Sequence, residues 1–241
     1  MEPTLTPQPK NNPWIVPFSI IVAGALVGAG VYFSGTNPKQ IAGGEQTKQG
    51  SIETINLRPV SGDEHILGNP NAPVVIVEYS DTECPFCKQF HETMKRVMSE
   101  YGKDGKVAWV YRHMPIDGLH KKARKEAEAS ECARELGGNA KFWEYIDQIY
   151  ARTNSNDSLD PAELPKIAKD IKLDQKKFNE CLDSGRTAKI VSADVLDGTN
   201  AGVRGTPQSV LLTRSGEKVS IKGAQPFDVL KAVIDAALAQ Q

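Results

Sequence analysis

At 241 residues, with a formal net charge of −1 and 24% charged side chains, the chain has no basic excess to attract nucleic acid or an anionic membrane surface. Its length supports one sizeable core or two small ones, and four cysteines are too few to scaffold a chain of this size. Cys84 and Cys87 form a close pair, Cys132 and Cys181 a distant one, and the split suggests two separate jobs.

Residues 1–13 form a short tail, predicted to be cytoplasmic. Trp14 to Phe33 then carries no charge (WIVPFSIIVAGALVGAGVYF), and a helix of about 20 apolar residues spans a hydrocarbon core. Trp14 and Tyr32 supply interfacial rings, so 14–33 is predicted as a single transmembrane anchor. A cleaved signal peptide is the competing reading; it asks for a shorter apolar core and a more basic leader, whereas only Lys10 precedes this segment. Gly24-x-x-x-Gly28 has the form of a helix-packing motif, but glycines are common in such segments, and a monomer is predicted. Lys10 on one side balances Lys39 and Lys48 on the other, so flanking charge does not orient the anchor.

Residues 34–69 read as a stalk, with an edge strand over the alternating stretch Ile52 to Leu57. Val74 to Tyr79 (VVIVEY) is a β-branched run suited to a central strand buried on both faces. Cys84-Pro85 follows a short loop, and Phe90, Met94, Val97, Met98 and Tyr101 recur at helical spacing, so the dithiol opens a helix. A second apolar run, Val107 to Tyr111, completes a right-handed parallel βαβ unit. Helical signals dominate from about 117 to 202: Phe142, Trp143, Ile146, Ile149 and Tyr150 share a face, and Asp160-Pro161 reads as a helix start. Ser209–Leu212 and Lys218–Ile221 flank Arg214-Ser215-Gly216-Glu217 as a hairpin, and Phe227, Leu230, Ile234 and Leu238 mark a closing helix. The fold class is α/β, one domain over 70–241 with a helical insertion over about 117–202.

Two cysteines separated by Pro85 and Phe86 at a helix start suit the making and breaking of a disulfide. The first thiol meets unpaired backbone N–H groups and the positive end of the helix dipole, which stabilise its thiolate. Pro85 fits the first turn, where its missing N–H removes no helix bond. Cys87, one turn in, is predicted to be more buried and to act as the resolving thiol. A zinc site would want four ligands, and no second C-x-x-C and no H-x-x-x-H is present, so neither a metal nor a cofactor is predicted for the chain. His91 lies one turn after Cys87 and reads as a solvated helix histidine, with an approach to Cys87 as the alternative.

The stretch GNPNAPVVIVEYSDTECPFCKQF (68–90), with GVRGTPQSVLL (202–212) downstream, resembles the DsbA-like thioredoxin-fold thiol:disulfide oxidoreductases, in particular their membrane-anchored bacterial branch. The resemblance covers about residues 63–241. It implies a helical insertion between the two halves of the sheet, and a cis peptide before Pro207 that sets Thr206-Pro207 beside the dithiol; an ordinary trans turn proline is the alternative. It also implies that Glu78, six residues before Cys84, is a buried acid that helps move protons at the inner cysteine; a strand-end Glu facing solvent is the alternative. Phe86 departs from DsbA itself, which has a histidine there whose cation stabilises the thiolate. Related anchored proteins often carry a cysteine pair like Cys132 and Cys181. A bridge between these two would be structural and would persist only in an oxidising compartment, whereas two buried free thiols are the other reading.

The function implied is an oxidase that introduces disulfides into secreted or cell-envelope proteins, with the catalytic domain outside the cytoplasm, periplasmic or at the cell surface. Its partners would be reduced extracytoplasmic proteins and a quinone-linked membrane reoxidase, DsbB-like or VKOR-like. A membrane-anchored reductase or isomerase is the nearest alternative; a non-catalytic metal- or protein-binding module is the next.

Overall fold

The structure is a computed structural model and describes residues 55–240. The predicted anchor at 14–33 and most of the stalk lie outside these residues. Among the described residues, no helix is long and apolar enough to cross a membrane.

Five strands form one sheet: β1 (His65–Gly68), β2 (Val74–Ser80), β3 (Val107–His113), β4 (Gln208–Thr213) and β5 (Lys218–Lys222), in the order β1-β3-β2-β4-β5. β2 and β3 run parallel, with Val74 opposite Val107 and Ser80 opposite His113; the other pairings are antiparallel. The β-branched run predicted a strand covered on both faces, and Val74, Ile76, Val77 and Tyr79 are all fully buried in β2.

Among the described residues, six helices accompany the sheet. α1 (Pro85–Val97) passes into a π-helical turn over Met98–Gly102 and is the crossover between β2 and β3. Its apolar face, Phe90, Met94 and Val97, joins Ile76, Trp109, Leu230 and Ile234 in one core, closed by α6 (Phe227–Leu238). α2 (Ala123–Arg152), α3 (Glu163–Asp170), α4 (Gln175–Ser184) and α5 (Ala188–Asn200) lie between β3 and β4, where the insertion is predicted. The first three build a second core from Tyr145, Ile149, Leu164, Ile167 and Phe178. Within it Cys132 of α2 and Cys181 of α4 are joined by a disulfide, Cα–Cα 5.8 Å. α5 also covers the second sheet face, where a Cβ added at Gly198 would lie 3.0 Å from the Tyr79 ring and the Met114 sulfur.

Three local readings are corrected. The edge strand is β1, not Ile52 to Leu57: residues 55–57 have no regular structure, while His65–Gly68 pairs with β3. Residues 55–64 also do not behave as a stalk. Leu57 is buried, the Arg58 N–H donates to Asp197 at 2.6 Å, and the Arg58 guanidinium bridges Glu64 and Asp194. Finally, α3 begins at Glu163, because Asp160 accepts from the Ala162 N–H at 2.9 Å and caps a turn that precedes the helix.

Candidate functional site

The dithiol sits where β2 turns into α1. Cys84 is the N-cap residue in extended conformation, Pro85 opens the helix, and Cys84 and Cys87 are free thiols. Cys84 is 6% exposed and Cys87 is fully buried, while Phe86 between them stands 61% exposed. The two thiols are thereby made chemically unequal. The hydrogen bond from Cys87 does most to lower the Cys84 pKa, to about 6; the Cys87 N–H, Thr206 and the Phe86 N–H add to it against the cost of burial. Burial, then the neighbouring Cys84 charge, push the Cys87 thiol well above its ordinary value.

The peptide between Thr206 and Pro207 is cis, and the Thr206 carbonyl oxygen lies 3.4 Å from Cys84 Sγ. Residues separated by 122 positions therefore meet at one sulfur. On the inner side, Glu78 is fully buried in β2, and the solvent-facing alternative is set aside. Trp109 Nε1 donates to its Oε2 at 2.9 Å, yet Oε1 has no partner. Burial, only partly offset by Ser80 and Trp109, pushes Glu78 up to about 7, and its charge is felt at Cys87.

Several residues at the site carried no sequence signal. Asp81 is buried below the dithiol: its N–H lies 3.4 Å from Cys87 Sγ, and its carboxylate lies 2.9 Å from His120 Nδ1 and accepts from the Ile116 N–H at 2.7 Å. Burial opposes charge on His120, but Asp81 outweighs it and the Cys84 thiolate adds, so the imidazole pKa is raised. Glu83, also buried, accepts from Thr153 Oγ1 and from the N–H groups of Ser158 and Leu159. That grip fixes the loop that carries Asn156 to the mouth of the site. A groove of about 340 Å³ opens beside Cys84, between Phe86, Ile116, Leu119, Asn156 and the Arg204–Thr206 loop. His91 is not solvated: it is buried, with Nε2 at 2.7 Å from Asp147 Oδ1 and its ring against Trp109 and Tyr150. The bridged cysteines, Cys132 and Cys181, belong to the insertion core and not to this site.

A family model described as thioredoxin matches residues 60–236. The fold is shared with DsbA2 of Pseudomonas aeruginosa, 28% identical, TM-score 0.63, covering 74% of this chain and 96% of that one. It is shared also with oxidised BdbD of Bacillus subtilis, 23% identical, TM-score 0.67, covering 77% and 98%. Among curated proteins, the Na(+)/H(+) antiporter NhaA 3 of Salinispora tropica is 37% identical over 150 residues, which is 62% of this chain and 22% of the antiporter. NhaA 1 of Salinispora arenicola is 32% identical over 182 residues, 75% of this chain and 26% of that protein. The chain thus spans about a quarter of the length of the curated relatives it matches.

Proposed function

Because this chain belongs to the thioredoxin family and is a DsbA-like thiol:disulfide oxidoreductase, we propose that it is an oxidase that puts disulfides into secreted or cell-envelope proteins through Cys84 and Cys87. The observation that carries this reading is the unequal placement of the two thiols: Cys84 at the helix start beside Thr206, where its pKa falls to about 6, and Cys87 fully buried, where burial raises it.

In the oxidised enzyme a substrate thiolate attacks Cys84 Sγ, breaks the Cys84–Cys87 bond and forms a mixed disulfide. The pair of electrons leaves on Cys87, and Glu78, with its pKa near 7, supplies the proton that a buried thiolate needs. A second substrate thiolate then attacks the substrate sulfur, and Cys84 departs as the thiolate. The substrate loses two electrons and gains a disulfide, and the enzyme is left as a dithiol. A low thiol pKa makes Cys84 a good leaving group, which favours this direction. The Thr206-Pro207 loop offers backbone on which the substrate chain pairs during the exchange.

A quinone-linked membrane protein, DsbB-like or VKOR-like, reoxidises the dithiol in this scheme. The apolar segment Trp14–Phe33 anchors the chain, with the catalytic domain outside the cytoplasm. Resistance of the full chain to alkaline carbonate extraction, with protease access from outside the cell, tests that placement.

The reduction potential against glutathione tests the oxidase. A value well above −200 mV, toward the −120 mV of strong oxidants, is expected, and one near the about −270 mV of thioredoxin assigns a reductase instead. The reductase or isomerase reading draws on Phe86, an exposed side chain that offers the thiolate no cation.

A further inference from the structure

Away from the dithiol, three buried side chains from three elements converge: His65 of β1, His113 of β3 and Glu131 of α2. The sheet register sets His65 opposite Tyr111, two residues before His113, so both imidazoles project from one face with ring centroids 5.8 Å apart. Glu131 Oε1 receives both, at 2.5 Å from His65 Nε2 and 3.0 Å from His113 Nε2. One nitrogen of each ring and a carboxylate oxygen all fall within 4.8 Å of one another. The arrangement leaves Glu131 Oε2 buried without a partner, although Glu131 is only 1% exposed. A buried carboxylate oxygen left without a partner costs free energy, and it marks where a further ligand would be accepted.

We propose that His65, His113 and Glu131 form a binding site for a divalent cation of the Zn²⁺ type. Two imidazoles and one carboxylate are a donor set that zinc accepts with nitrogen and oxygen ligands at about 2.0–2.2 Å. Around such an ion the ligand atoms stand roughly 3.4 Å apart, so the contacts at 2.5 and 3.0 Å open slightly as the ion enters. Each neutral imidazole then binds through Nε2 with its proton on Nδ1, which in His65 is buried without a partner, and the carboxylate offers both oxygens. Phe142, stacked on the His65 ring at 3.6 Å, shields the site from the core side. Access is through a cavity of about 370 Å³ that His65 lines. Three basic residues, Arg58, Arg134 and Lys189, line it together with the acidic Asp63, Glu64 and Asp194; Arg58 is paired with Glu64 and Asp194, and Arg134 donates to the Asp63 carbonyl, which offsets part of their repulsion of a cation. The ion would tie edge strand, central sheet and insertion at one point.

The test uses the full chain in detergent, with Cys84–Cys87 oxidised so that neither thiol can ligate. Titration with Co²⁺ is expected to load one ion per chain and give visible d–d bands without a near-ultraviolet thiolate charge-transfer band, and one equivalent of Zn²⁺ displaces it. Glu131→Gln keeps the shape and weakens Zn²⁺ binding at least tenfold; if circular dichroism shows that variant unfolded, His65→Asn decides in its place. The proposal is overturned if the wild-type chain retains no metal at micromolar Zn²⁺, if a thiolate band appears, or if the folded variant binds as tightly as wild type.

Discussion

At the level of single residues, Cys84 and Glu78 are held at opposite ends of their usual behaviour. Cys84 lies at a helix start within reach of several donors, so its thiolate persists to about pH 6. Thiolate absorbance near 240 nm, or the rate of iodoacetamide alkylation, is therefore expected to rise with a midpoint near pH 6, and Cys84→Ser removes that transition; a midpoint above 8 would sink the assignment of Cys84 as the acidic thiol. Glu78 is the converse. Its folded pKa of about 7 exceeds the unfolded value of 4.5, so the folded state holds its proton more tightly. Stability is then complete below pH 4.5 and declines as pH rises toward 7, by on the order of 3 kcal/mol in all. Glu78→Gln, whose amide oxygen still accepts from Trp109, is expected to flatten that decline in urea titrations. The same variant slows thiol–disulfide exchange by roughly 10²-fold through loss of the proton donor, with the Cys84 midpoint kept. An exchange rate equal to wild type would show that Glu78 moves no proton.

Elements differ in how far they can be read from sequence, and the differences have physical causes. β2, α1 and β3 carry strong local periodicity because they are the most deeply buried elements, and the sequence places them within a residue or two. β1 carries none: HILG owes its strand state to pairing with β3, and the more alternating Ile52–Leu57 attracted the assignment instead. The burial of His91 is hidden from the sequence for a similar reason, since its partner Asp147 is 56 residues away on α2. Asp81 and His120 are likewise joined across 39 residues, with no local motif to link them. Within the insertion, the Cys132–Cys181 bond links α2 to α4 across a sequence separation of 49. Chain entropy gives a loop of that size about 4 kcal/mol. Replacing both cysteines by alanine is expected to lower Tm by about 10 °C while the alkylation profile of Cys84 stays as it was. A profile displaced along with Tm would mean that the insertion helps set the thiol chemistry.

For the whole molecule, redox state and folding stability are one linked equilibrium. The reduced, folded protein holds Cys84 as a thiolate with a pKa near 6, well under the ordinary 9, and the unfolded chain has no such preference. A depressed pKa contributes stability that is complete above the unfolded value of 9 and is lost as pH falls through the folded value near 6. The oxidised protein has no thiolate to stabilise, and its short Cys84–Cys87 loop adds a term that does not vary with pH. Unfolding the reduced and oxidised forms side by side should therefore show the reduced form gaining on the oxidised one as pH rises from 5 to 8. Glu78 works in the opposite direction, but its burial is common to both forms and much of it cancels in the difference. By the thermodynamic cycle, any stability the reduced form gains is free energy that drives oxidation of a substrate, so the reduction potential measured against a couple of ordinary thiols such as glutathione must rise with the same pH dependence. A stability difference independent of pH between 5 and 8 would place the driving force for substrate oxidation outside the Cys84 thiolate.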